Sequence, residues 1–128
     1  MKKIAVFASG NGSNFQAMAD AVKIGRLDAK ISLLVCDQLD AYVLKRAESE
    51  QVSSFCTSPK EYPNKASYEE AVLEQLNNKK VDFIILAGYM RLIGPTLLHA
   101  YPGRIVNIHP SLLPAFPGKD AVGQAFTA

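Results

Sequence analysis

Apolar and polar positions follow one another along this chain in blocks that switch between two periods. Lys3–Ala8 is a short apolar run that stops at Ser9-Gly10, the pattern of a buried strand. Ser13-Asn14-Phe15-Gln16 fits a capping box, with serine at the cap and glutamine three residues on. Phe15, Met18, Ala19 and Val22 then recur at helical spacing, and the helix stops near Gly25. Ala29–Cys36 reads as a second strand, Ala41–Glu50 as a helix and Val52–Cys56 as a third, short strand. Thr57–Lys65 carries Pro59 and Pro63 and reads as a loop. Ser67-Tyr68-Glu69-Glu70 is a second capping box, opening a helix to about Asn78. Asp82–Ala87 is the most strand-like run of all, Pro95 after Gly94 fits the first turn of a short helix, and Arg104–Ile108 is a fifth strand. The segment HPSLLPAFPG, with three prolines and a glycine, cannot be regular structure, and Asp120–Ala128 reads as helical.

Strands and helices thus alternate, with crossovers long enough to return the chain to the same edge. That order predicts an α/β fold: a doubly wound, mostly parallel sheet with helices on both faces. The usual strand order, 3-2-1-4-5, would make strands one, four and five neighbours. No repeat, linker or low-complexity segment interrupts the pattern.

Length and composition change this picture little. The 128 residues make one domain, and 48% apolar with 20% charged residues is ordinary for a globular protein. A net charge of +2 argues against nucleic acid and membrane surfaces as partners, while leaving room for a small anionic ligand. Cys36 and Cys56 lie at the ends of apolar runs without CxxC spacing, so they read as free, half-buried thiols of a reducing cytoplasm. The apolar run IAVFA is too short for a signal core, and no run approaches a membrane span. A cytoplasmic protein is the expectation.

The candidate chemistry begins at Ser9-Gly10-Asn11-Gly12-Ser13-Asn14. A loop between a strand and a helix N-terminus aims backbone N–H groups at one point and attracts an anion. Gly12 lets the backbone come close, and Ser13 and Asn14 add side-chain donors. Three readings are open: a single phosphate, a dinucleotide, or a structural turn. The dinucleotide reading is the weakest, because Phe15 fills the third position of G-x-G-x-x-G, where a small residue is wanted. Asp37, at the end of strand two, could pose as a ribose-binding acid but reads as an ordinary solvated one.

Two further loops would meet this one in the crevice: Ala87-Gly88-Tyr89-Met90-Arg91 after strand four, and Val106-Asn107-Ile108-His109-Pro110 at strand five. Asn107 and His109 are two apart at a strand end and would face the same side. An amide beside an imidazole suits a tetrahedral intermediate at a carbonyl, the amide on the oxyanion and the histidine handling a proton or adding positive charge. A structural turn before proline is the competing reading. No metal-ligand cluster, Ser-His-Asp or Cys-His arrangement is visible, and His99 reads as surface.

SGNGSN at 9–14, LAGYMRL at 86–92 and NIHPSLLPAFPG at 107–118 together resemble the glycinamide ribonucleotide formyltransferase family. The resemblance implies transfer of a formyl group from 10-formyltetrahydrofolate, as co-substrate, to the amine of glycinamide ribonucleotide in purine synthesis, without a metal. It implies that Gly12, Ser13 and Asn14 cradle the substrate phosphate and that Gly88 allows its close approach. Lys65, Met90, Arg91, Leu92, Ile93 and Asn107 would serve the folate, and Asn107 and His109 the catalysis. The family's third catalytic residue, an aspartate, would lie beyond position 128, as would the rest of the folate site. Residues 1–128 then form a single N-terminal formyltransferase domain, truncated at its C-terminal end. Lys119-Asp120-Ala121 stands where some relatives have a histidine, and Asp120 reads as a helix cap. The resemblance leaves open a homodimer and a cis Leu113–Pro114 bond. Competing identities are another formyl-folate enzyme (a formyltetrahydrofolate hydrolase or methionyl-tRNA formyltransferase) and a non-catalytic phosphate- or nucleotide-binding module.

Overall fold

Strand β1 (Lys2–Ala8) is buried from Ile4 to Ala8 and takes a parallel neighbour on each side. This is the reason its sequence runs continuously apolar instead of alternating. A computed structural model describes residues 1–108 of the chain. Within them the order is β1, α1 (Ser13–Lys23), β2 (Ala29–Cys36), α2 (Val43–Ser49), β3 (Ser54–Cys56), a 3-10 turn (Pro59–Glu61), α3 (Lys65–Asn78), β4 (Phe83–Leu86), α4 (Pro95–Ala100) and β5 (Ile105–Asn107). The five strands form one parallel sheet in the order β3-β2-β1-β4-β5, as the sequence predicts.

Two apolar layers cover the sheet. On one face Ile4, Val6 and Ala8 pack with Phe15 and Met18 of α1 and Val43 and Ala47 of α2. On the other, Ala5 and Phe7 pack with Tyr68, Val72 and Leu76 of α3 and Leu97 of α4. Full burial of one such large side chain contributes about 1.5–3 kcal/mol.

Both capping boxes are corrected. Gly12, in the left-handed region at φ 83°, takes the cap position of α1, and Ser13 is already the first helical residue. Gln16 does not reach back to it; its amide donates to Asp20 Oδ1 at 3.1 Å and Glu50 Oε2 at 2.9 Å. Helix α3 starts two residues before Ser67, because Asn64 Oδ1 accepts from the Ser67 amide at 2.8 Å. Lys65 therefore opens a helix and does not lie in the loop before it. Glu69 is buried and caps a different helix: its carboxylate accepts from Gly94 N at 2.7 Å and Leu97 N at 3.2 Å, where α4 begins. Helix α2 starts later than its apolar pattern suggests, since the Val43 amide donates to Gly10 O at 3.1 Å instead of joining a preceding turn. The HPSLLPAFPG loop, the Asp120–Ala128 helix and the Leu113–Pro114 bond lie outside the described residues.

Candidate functional site

The carboxyl ends of β1 and β4 are tied to each other by three backbone-directed bonds. Ala87 N donates to Phe7 O at 2.9 Å, Ser9 N to Gly88 O at 3.2 Å, and Met90 N to the Ser9 hydroxyl at 2.8 Å. Ser9 is buried, and it is the joint between the two loops. Sequence reasoning treated it only as the start of the glycine run; its sole signal was a small hydroxyl residue directly after a buried strand. On the far side of β4, Ile108 N donates to Leu86 O at 2.9 Å, which brings the end of β5 alongside. Asn107 is exposed there, paired in register with Leu86. His109 and Asp120 lie outside the described residues.

The glycine loop is held from below by α2. Arg46 Nε donates to Asn11 O at 2.8 Å, and its Nη2 donates to Asn11 Oδ1 at 2.8 Å. The same guanidinium lies 5.0 Å from the ring centre of Tyr42. A methyl at Gly12 would run into Cγ2 of Val43 and lie 2.6 Å from its Cβ. Gly12 therefore serves the packing of α2 as well as the turn. Ser13 is exposed and Asn14 half-buried at the head of α1, whose first turn has no acidic residue and no side-chain cap. The first N–H groups of a helix have no partner within it, so this end is free to receive an anion. Gly88, at φ 78°, faces it: a methyl there would lie 4.0 Å from Asn14 Nδ2.

Lys65, Met90, Arg91 and Leu92 line one cavity of about 410 Å³ together with Pro59, Tyr62, Asn64 and Tyr68. That volume is in the range of small-molecule sites. Met90 and Leu92 are 81% and 84% exposed, so among the described residues they are not core-packing residues. Ile93 is separate from this wall and packs against the α3–α4 core. Asp37 is corrected from a solvated acid: it is buried, and its Oδ2 accepts from Arg91 Nε at 2.7 Å. Beneath the cavity, the Tyr68 and Tyr89 hydroxyls lie 2.7 Å apart. Burial pushes both phenols up, with the hydrogen bond to Tyr68 adding to the effect on Tyr89. Among the described residues no group of His, Cys, Asp and Glu side chains could hold a metal, and no helix is long and apolar enough to cross a membrane.

Cys36 and Cys56 are free and face one another in the β2–β3 register, each thiol donating to Gln38 O at 3.3 Å. Cys36 is fully buried, and burial pushes its thiol from 9.0 up to about 11. The thiolate is disfavoured only in the folded state. Stability is therefore complete below pH 9 and falls as pH rises from about 9 to 11, where the unfolded chain ionises and the folded one does not. Thermal midpoints measured from pH 7 to 11 should decline over that window, and replacing Cys36 by alanine should flatten the decline.

A parallel α/β domain with a glycine loop at a helix N-terminus and an adjoining cavity at its strand ends is of the doubly wound class, whose members bind ligands at the carboxyl ends of their strands. The family model of formyl transferases matches residues 2–128, so the chain belongs to that family. It is 62% identical over 128 residues to the phosphoribosylglycinamide formyltransferase of Bacillus subtilis, covering all of this chain and 66% of that protein. To the enzyme of the same name from Haemophilus influenzae it is 39% identical, covering 60% of that protein. The crystal structure of glycinamide ribonucleotide transformylase 1 from Geobacillus kaustophilus superposes with a TM-score of 0.84 at 62% identity, covering 99% of this chain and 68% of that one. The chain thus spans about two-thirds or less of the length of these curated relatives.

Proposed function

We propose that this chain carries the phosphate loop and part of the formyl-donor wall of a phosphoribosylglycinamide formyltransferase. The reaction transfers the formyl group of 10-formyltetrahydrofolate to the amine of glycinamide ribonucleotide. The observation that carries the reading is the tie through Ser9, which sets the head of α1 beside the cavity-lining loop at 88–92. Gly12, Ser13 and Asn14 take the phosphate on the N-terminus of α1, and Gly88 leaves room for the body of that substrate. Lys65, Met90, Arg91 and Leu92 border the donor. Ile93 supports that wall from the core side.

The amine nitrogen attacks the formyl carbon, and the carbonyl oxygen becomes an oxyanion. Asn107 donates to it and His109 adds positive charge or a proton. Collapse breaks the bond to N10 of the folate; the attacking nitrogen loses a proton and N10 gains one. The small net charge of +2 lends no support to a nucleic-acid partner and suits small-molecule substrates.

The test is a thermal-unfolding titration with glycinamide ribonucleotide and, in parallel, NAD. At a hundredfold excess over Kd, a ligand that binds only the folded state adds about 2.7 kcal/mol. Stabilisation by glycinamide ribonucleotide alone is the expected result. Stabilisation by NAD alone would return the glycine loop to the dinucleotide reading and overturn this one.

A further inference from the structure

The side chain of Asp37 is 1% exposed, yet Arg91, its partner at 2.7 Å, is 38% exposed and lines the cavity. The pair is poorly arranged for stability. Asp37 Oδ1 has no hydrogen-bond partner among the described residues, so the buried carboxylate is only half satisfied. Desolvating a carboxylate is costly, and such a pair is often no more stable than well-packed apolar residues of the same size. What the pair does achieve is geometric. Asp37 directly follows β2, Arg91 follows β4, and β1 lies between those strands. The ion pair therefore reaches over the tip of β1 and anchors a long, flexible side chain to the far side of it. The bond is made through Nε, and among the described residues nothing else occupies the terminal nitrogens. A guanidinium held by one edge keeps its other edge for a carboxylate or other oxyanion.

We infer that Asp37 is a positioning residue: it fixes the Arg91 guanidinium on the cavity wall before the donor arrives and so sets affinity for the anionic folate without touching it. The inference rests on the reading of the cavity as the donor site. Ordering a flexible side chain in advance removes that cost from binding. Asp37 acts on one ligand only, because the phosphate loop is held by Arg46 and Val43 and not by Arg91.

The experiment measures the Kd of tetrahydrofolate and of glycinamide ribonucleotide for the protein extended to the full length of its relatives and for its Asp37→Ala, Asp37→Asn, Arg91→Met and Asp37→Ala/Arg91→Met variants. Asp37→Ala should weaken tetrahydrofolate about tenfold, which is about 1.4 kcal/mol, and leave glycinamide ribonucleotide within twofold. Asp37→Asn keeps the shape and a neutral acceptor and should fall between. In the Arg91→Met background, Asp37→Ala should add nothing further, a result that general loosening of the fold would not give. An Asp37→Ala variant that binds tetrahydrofolate as the parent does overturns the positioning role alone; equal loss of both ligands does the same. A parent protein extended to the full length of its relatives that still fails to bind tetrahydrofolate overturns the reading of the cavity, and this inference with it.

Discussion

Replacing Asn107 by alanine should lower the rate of formyl transfer about 10²–10³-fold while leaving the fold intact. Removal of one oxyanion donor costs that much elsewhere, equivalent to about 2.7–4 kcal/mol of transition-state stabilisation. Asn107 is exposed at the end of β5, so little packing is lost, and the unfolding free energy should move by no more than about 0.5 kcal/mol. Asn107→Asp is the sharper probe: it is nearly the same size but, on the proposed mechanism, would place a negative charge beside the developing oxyanion. Single-turnover release of tetrahydrofolate measures both variants. A rate within threefold of the parent would remove Asn107 from the chemistry.

Gly12→Ala should be costly to both fold and ligand. A residue with a Cβ at φ 83° is strained, by about 1–3 kcal/mol. The added methyl also meets Val43, coming within 3.0 Å of its Cα, so backbone must move and not only a side chain. Displacing α2 would move Val43 N away from Gly10 O and Arg46 away from Asn11. The expected outcome is a loss of about 2–4 kcal/mol in denaturant unfolding and loss of stabilisation by glycinamide ribonucleotide. The cause can be isolated with Val43→Ala. If the clash dominates, the double variant should be more stable than the sum of the single losses predicts, by about 1 kcal/mol. Strict additivity would mean that the cost lies in what alanine leaves in place, the contacts with Cβ and Cα of residue 43 and the backbone strain at Gly12.

Much of the architecture was legible because parallel strands buried on both faces read as continuous apolar runs. Ala29–Cys36 needed no revision at either end. Helix starts were less legible. The serine-to-glutamine and serine-to-glutamate spacings at Ser13 and Ser67 are real, but a glycine in the left-handed region and a nearer asparagine took the caps. Local pattern cannot show that Gly10 O already claims the Val43 amide, or that Glu69 serves a helix that begins at Pro95. In the candidate site, Gly12, Ser13 and Asn14 stood out by type and spacing, whereas Gly88, Lys65 and Arg91 came only from the family resemblance. Ser9, Asp37 and Arg46 did not stand out, because their roles arise from partners far along the chain: Ser9 with Met90, Asp37 with Arg91, Arg46 with Asn11. A strand-end acid is ordinary until the strand order sets it one strand away from a cavity-lining arginine.

The division of the helices between the two faces has a thermodynamic consequence. The glycine loop is supported by α1 and α2 on one face, and the cavity is lined by the start of α3 and the loop before it, on the other. Perturbations of the two cores away from the rim should therefore add nearly independently. The two faces meet at the rim of the sheet, where Ser9 bonds Gly88 and Met90 and where the Asp37–Arg91 pair passes over the tip of β1. Those two contacts, each made by a residue with a buried side chain, are where linkage between the two ligands of the proposed function would be written.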